Sequence, residues 1–94
     1  MSKFEIEKTL IASSAHILPD DIEAFRVYND IFIVDEYDYG WTVYLHDSII
    51  DDLGKVRVSE GIRMLILFSV FNGCKYLKVD SDGPTYKGFE EYEW

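Results

Sequence analysis

The sequence predicts a single small domain of the α+β class, with its elements in the order β-α-β-β-α-β. Three observations predict it. The 94 residues are 48% hydrophobic and 16% aromatic, which suffices for one core without metals or disulfides. One segment has the pattern of a β-hairpin, and another is apolar around its whole circumference, as a buried helix is. We therefore expect residues 1–94 to form one domain whose antiparallel-rich sheet packs against that helix.

A strand and a helix are predicted for the first thirty residues. Phe4 and Ile6 alternate with acidic residues, which indicates a strand with one buried face. Residues 20–23 read DDIE and fit a capping box, in which Asp20 caps the helix and Glu23 reaches back. This helix would end near residue 29 and bury Ile22, Phe25 and Tyr28.

A hairpin follows in IFIVDEYDYGWTVYL. Residues 31–37 and 41–45 are rich in β-branched and aromatic residues, and DYG at 38–40 supplies a short loop. We expect Gly40 to adopt a positive φ there. The next segment, HDSIIDDLGKVRV, indicates a helical turn and then a short extended piece.

The buried helix is predicted to begin after Ser59, whose hydroxyl can cap it, and to end at Asn72-Gly73. Because GIRMLILFSVFNG is apolar on nearly every side, we expect most of its sides to be covered. Alternation in KYLKVD predicts a last strand with Leu77 and Val79 directed inward.

The charge of the chain is concentrated in one third of its length. The formal net charge is −9, and residues 20–52 hold ten acidic residues against Arg26 alone. A field of this sign repels nucleic acids and lipid headgroups and attracts basic protein surfaces. Direct binding of nucleic acid or membranes is therefore disfavoured, and a basic protein or ribonucleoprotein is the expected partner.

Candidate chemical motifs are few. Ser13, Ser14 and His16 lie close in sequence, but serine activation needs a base that the fold places across from it. DSDG at 80–83 begins like a calcium loop, yet Pro84 stands where the fifth position needs an oxygen ligand. His46 and Cys74 complete the small set of reactive residues, without metal-ligand spacing. We expect no enzyme, no cofactor and no metal.

The expected location is the cytoplasm. Cys74 is the single cysteine, which fits a reducing compartment, and the N-terminal residues carry acids where a signal peptide is apolar. The longest nearly uncharged run, residues 64–75, is too short to span a bilayer.

The segment DEYDYGW at 35–41 combines the acidic and aromatic residues that a binding surface uses, with Trp41 expected to anchor the hairpin. Carboxylates on an exposed strand edge have a spacing of the same order as backbone phosphates. The predicted partner-binding residues are Asp20, Asp21, Asp35, Glu36, Tyr37, Asp38, Tyr39, Asp47, Asp51 and Asp52.

In size, acidity, hairpin content and the lack of a catalytic motif, the chain resembles small phage and plasmid inhibitors of the anti-CRISPR and anti-restriction type. With SSAHI, the acidic helix start and the closing DGPTYKGFEEYEW, it also resembles small uncharacterised proteins of mobile elements. The resemblance implies a non-enzymatic inhibitor, a DNA mimic that blocks a basic bacterial defence complex. An immunity protein or antitoxin against a basic nuclease fits the same charges, and a small hydrolase or ligand-binding domain is a third hypothesis. The sheet edges and the C-terminal aromatic residues, Phe89, Tyr92 and Trp94, would also suit a homodimer.

Overall fold

The computed structural model describes residues 6–93, which form a four-stranded sheet and three α-helices. A 3₁₀ turn over Ser14–His16 joins the first strand to the first helix. The α+β class is confirmed, but the predicted order lacked one helix. The elements are β1 (Thr9–Ser13), α1 (Pro19–Val27), β2 (Val34–Tyr37), β3 (Gly40–Tyr44), α2 (Ile49–Leu53), α3 (Glu60–Phe71) and β4 (Tyr76–Asp80).

The sheet is mixed, with the strand order β1-β4-β3-β2. β3 pairs antiparallel with both β2 and β4, whereas β1 and β4 run parallel. The prediction of an antiparallel-rich sheet therefore misses the parallel pair. Because β1 and β4 are neighbours, the rest of the chain between them forms one long crossover connection.

The hydrophobic core lies between α3 and one face of the sheet. Ile62, Leu65 and Ile66 of α3 are fully buried, as are Leu77 and Val79 of β4. On the other face of β4, alternate residues remain half-buried, so this face of the sheet is open. The predicted inward direction of the two β4 residues is confirmed.

Both ends of α3 are as predicted. The Ser59 hydroxyl accepts a hydrogen bond from the Ile62 N–H at 3.3 Å, and Asn72 is the C-cap. Gly73 follows with φ of +75°, the left-handed conformation that ends many helices.

One side of α3 is uncovered, which is compatible with the prediction that most of its sides are covered. Met64, Phe68 and Phe71 lie on this side and are 39%, 44% and 80% exposed. Among residues 6–93, only Phe68 has an aromatic neighbour there, the ring of Phe89, with the two ring centroids 5.6 Å apart. The apolar circumference of α3 therefore exceeds what the described residues, 6–93, can bury.

The first strand and the first helix begin at other residues than predicted. β1 begins at Thr9 and Ile6 is 82% exposed, so the predicted burial of Ile6 is wrong; Phe4 lies outside the described residues. Leu18, not Asp20, is the N-cap of α1. The helix begins at a proline, a residue suited to the first helical position because its missing N–H needs no partner there.

The hairpin is confirmed in position, although β2 begins only at Val34. The predicted positive φ of Gly40 is wrong, because among the described residues only Gly73 and Gly88 have positive φ. Gly40 is required by a close approach instead: a Cβ atom there would lie 1.9 Å from the Val79 carbonyl oxygen.

The C-terminal segment, residues 84–92, runs along the outer edge of β1. The Pro84 carbonyl accepts from the Ser13 N–H at 2.8 Å, and the Tyr86 hydroxyl donates to the carbonyl of Ile11. Tyr92 N–H donates to the Ala15 carbonyl at 2.7 Å. This edge of the sheet is therefore covered by the chain itself.

Candidate interaction surface

Two turns meet at one end of the sheet. The Ser81 N–H donates to the Tyr39 carbonyl at 2.8 Å, which joins the turn after β4 to the turn between β2 and β3. The Tyr37 hydroxyl donates to Asp80 Oδ2 at 2.6 Å. We call this region the hairpin end and define it by Tyr37, Asp38, Tyr39, Asp80 and Asp82.

The hydrogen bond between Tyr37 and Asp80 favours the neutral form of the tyrosine and the ionised form of the aspartate. Burial raises the pKa of Tyr37 to about 12, with the hydrogen bond to Asp80 as the next cause. The same hydrogen bond lowers the pKa of Asp80, assisted by the Asp82 N–H that donates to its Oδ1 at 2.7 Å. Asp80 therefore stays ionised to lower pH than an ordinary aspartate. Lys78 Nζ lies 5.2 Å from the centroid of the Tyr37 ring, as a cation–π contact.

The hairpin end presents carboxylates whose charge the described residues offset only in part, through the charge of Lys78 acting on Asp80. Asp38 and Asp82 are exposed, and Tyr39 is 61% exposed between the two turns. Within residues 6–93, no carboxylate of the hairpin end forms an ion pair. Sequence reasoning missed Asp80 and Asp82, although two aspartates directly after a predicted strand were a usable signal.

Asp35 and Glu36 lie on opposite faces of β2. Asp35, opposite Thr42, is exposed on the open face of the sheet. Glu36 lies on the helical side, where its Oε1 accepts from Trp41 Nε1 at 2.8 Å and from Arg26 Nη2 at 3.2 Å. The hydrogen bond from Trp41, followed by that from Arg26, lowers the pKa of Glu36.

Asp21 belongs to no surface, and its predicted role in partner binding is wrong. Its side chain is buried, with 1% of the residue exposed. The carboxylate accepts hydrogen bonds from the Leu18 N–H and from both the N–H and the hydroxyl of Ser59. A carboxylate with three donors in the interior is a structural residue.

The remaining predicted acids are separated from the hairpin end. Asp47, Asp51 and Asp52 follow the C-terminal end of β3, whereas the hairpin turn precedes its N-terminal end. Five strand residues span about 13 Å. Asp52 also forms an ion pair with Lys55 at 3.3 Å, and Asp20 is exposed in the first turn of α1. The predicted acidic residues therefore do not form one row.

His16 uses both ring nitrogens to hold the C-terminal segment. It is fully buried, and its Nδ1 lies 2.6 Å from the Glu90 carbonyl oxygen, to which it donates. Its Nε2 accepts from the Tyr86 N–H at 2.9 Å. The Ser13 hydroxyl accepts instead from the Ala15 N–H. His16 therefore has no ring nitrogen left to activate a serine.

The other reactive residues are also apart. His46 Nε2 is hydrogen-bonded to the Ile31 carbonyl at 2.7 Å, and Cys74 is half-buried after α3. Within residues 6–93, no three His, Cys, Asp or Glu side chains are grouped to hold a metal ion. In the same part of the chain, no helix has the length and apolar character to cross a membrane.

These features define a small α+β domain with a half-open mixed sheet and an acidic hairpin end. Residues 9–94 match the family model described as "Family of unknown function (DUF5983) C-terminal domain", and the chain belongs to this family. No curated protein matches the chain, and no solved structure does.

Proposed function

We propose that this protein is a non-enzymatic inhibitor that binds a basic, nucleic-acid-handling partner through the hairpin end. The observation that supports this most directly is the exposed Tyr39 on a turn joined to the turn after β4, together with the carboxylates of Asp38, Asp80 and Asp82, which form no ion pair within residues 6–93. Tyrosine supplies the amphipathic contact area that protein interfaces favour, and the carboxylates supply complementarity to lysine and arginine.

The hairpin end replaces the longer acidic row as the proposed contact. Its charges lie on two turns tied together by backbone and side-chain hydrogen bonds, so little order has to be gained on binding. The acids after β3 contribute to the long-range field that attracts a basic partner. Association is therefore expected to slow as salt concentration rises.

The proposed partner is a bacterial defence complex, whose channel for nucleic acid the acidic surface would occupy. An immunity protein against a basic nuclease would use the same charges, and only the identity of the partner separates the two. The hydrolase hypothesis has less support, because the ring nitrogens of His16 are both engaged.

The test is phage plaquing on bacterial hosts that carry defined CRISPR or restriction systems. We expect expression of the protein to restore plaquing against at least one system. A triple variant of the hairpin end and its neighbour β2, Asp35→Lys, Asp38→Lys and Asp82→Lys, should abolish the effect.

The matched control, Asp20→Lys, Asp47→Lys and Asp51→Lys, changes the net charge equally at other places and should retain the effect. Equal loss in both triple variants would remove the hairpin end as the contact. Absence of protection against every system would overturn the inhibitor proposal.

A further inference from the structure

The two edge strands of the sheet, β1 and β2, differ in whether another segment of the chain covers them. Residues 84–92 cover β1, whereas nothing within residues 6–93 pairs with the outer side of β2. The Tyr44 N–H donates to the Ile33 carbonyl at 2.9 Å, and pairing alternates along an antiparallel ladder. The N–H and C=O groups of Val34 and Glu36 therefore face away from β3, ready to pair with another strand.

A groove accompanies this free edge. It lies between β2 and α1 and has a volume of about 190 Å³. Its lining is mainly apolar, so it can accept an aliphatic side chain from a strand laid along β2. The lining residues are Ile22, Phe25, Arg26, Val34, Glu36 and Trp41.

The charges along the edge specify the chemistry of the added strand. The Glu36 carboxylate is already oriented by Trp41, and its ion pair with Arg26 joins two side chains that are 57% and 61% exposed. Such exposed pairs contribute little to stability, so a basic side chain of a partner can take the place of Arg26. On the open face, the exposed Asp35 offers a second carboxylate, which has no ion pair within residues 6–93.

We infer that β2 binds an extended segment of the partner, added to the sheet as a fifth strand, with apolar and basic side chains on the face of the groove and a basic side chain on the open face. Main-chain hydrogen bonds to Val34 and Glu36 would provide affinity, and the groove and the two carboxylates would provide specificity. A second copy of this chain fits poorly, because its own β2 would bring like charges together. This inference rests on the proposed function and names how the partner would be recognised.

The experiment titrates the ¹⁵N-labelled full chain with a capped Val-Arg-Arg-Arg-Val peptide, which as a strand directs two valines and one arginine to one face and two arginines to the other. We expect saturable NMR shifts at the amides of Val34 and Glu36. A control peptide, N-methylated at its three central amides, has the same charge but lacks the central N–H donors that a strand needs, and should bind at least 10-fold more weakly.

Equal affinity for the two peptides, or shifts confined to the hairpin turn, would overturn strand addition. Neither result would contradict charge-driven binding at the hairpin end, which the plaquing assay tests separately. If neither peptide binds, this inference is also overturned.

Two variants test the role assigned to the ion pair. Arg26→Ala should tighten peptide binding several-fold, because it removes the internal competitor for Glu36. Glu36→Gln should weaken binding by about 10-fold, as loss of one charge-assisted contact does. Asp51→Asn removes the same charge beyond the other end of β3 and is the matched control. If Glu36→Gln weakens binding no more than this control, the groove assignment is wrong.

Discussion

The buried carboxylate of Asp21 accepts two hydrogen bonds from Ser59, one from its N–H at 2.8 Å and one from its hydroxyl. The same Ser59 oxygen caps α3 by accepting from the Ile62 N–H. One side chain of α1 thus positions the residue that begins the central helix. Asp21, predicted as a contact for a partner, is instead an internal connection between two helices.

Replacing Asp21 with alanine should destabilise the fold strongly. The substitution leaves the N–H groups of Leu18 and Ser59 without their acceptor, which costs roughly 2–5 kcal/mol of unfolding free energy. Ser59→Ala should cost about 1–2 kcal/mol through loss of the helix cap. Urea denaturation measures both values. Asp20→Ala, an exposed neighbour, should cost less than about 1 kcal/mol.

The double variant, Asp21→Ala with Ser59→Ala, tests whether the two residues stabilise the fold together. Residues that share hydrogen bonds should show a coupling energy of about 0.5–3 kcal/mol. Strictly additive effects of Asp21→Ala and Ser59→Ala would contradict the connection described here.

Tyr37 should make the free energy of unfolding depend on pH in the alkaline range. Its pKa is raised from 10.0 to about 12, so the unfolded chain loses this proton first as the pH rises. The stabilisation is complete below pH ~10 and is lost as the pH approaches ~12. Titration of the Tyr37 ring carbon by NMR measures the pKa directly.

Asp80→Asn should lower the pKa of Tyr37 but leave it above 10.0, because burial is the larger cause of the shift. Tyr37→Phe should remove this residue's share of the alkaline loss of stability. An unchanged pKa of Tyr37 in the Asp80→Asn variant would show that the carboxylate does not influence it.

Gly40→Ala should destabilise the sheet, since the new Cβ would lie 1.9 Å from the Val79 carbonyl oxygen and force β3 and β4 apart. We expect a loss of about 1–3 kcal/mol by chemical denaturation. Gly54→Ala is the control: its Cβ would meet nothing closer than 3.5 Å, and its φ is −69°. That variant should be neutral or stabilised by up to about 1 kcal/mol.

His16→Ala should release the C-terminal segment. The substitution removes the partners of the Tyr86 N–H and the Glu90 carbonyl and opens a cavity, which together cost roughly 2–4 kcal/mol. Hydrogen exchange should accelerate more in residues 84–92 than in α3. Uniform acceleration of hydrogen exchange across the chain would argue against a local role of His16. His46→Ala is the control variant, since it also removes a histidine that is hydrogen-bonded to a backbone carbonyl.

The sequence predicts what is local in this fold. The cap by Ser59, the stop at Gly73 and the inward residues of β4 all follow from neighbouring residues, and all three are confirmed. The parallel pairing of β1 with β4 joins segments more than sixty residues apart, and no local pattern specifies it. Gly40 illustrates the same limit, since its requirement comes from a carbonyl on another strand.

The candidate site was predictable only in part. Asp38 and Tyr39 were identified from composition, and they are exposed as expected. Asp80 joins them through pairing across the sheet, which spacing in sequence does not show. Adjacent residues on a strand point to opposite faces, so Asp35 and Glu36 could not both lie on one surface.

The uncovered edge of β2 has a practical consequence for handling the protein. Asp35 and Glu36 place two carboxylates on this edge, so like charges oppose the edge-to-edge joining of two molecules. The hydrogen bonds from Trp41 and Arg26 lower the pKa of Glu36, so this carboxylate keeps its charge to a lower pH than an ordinary glutamate. Purification and storage near neutral pH in low-salt buffer should therefore favour monodisperse samples, whereas high salt would screen this repulsion.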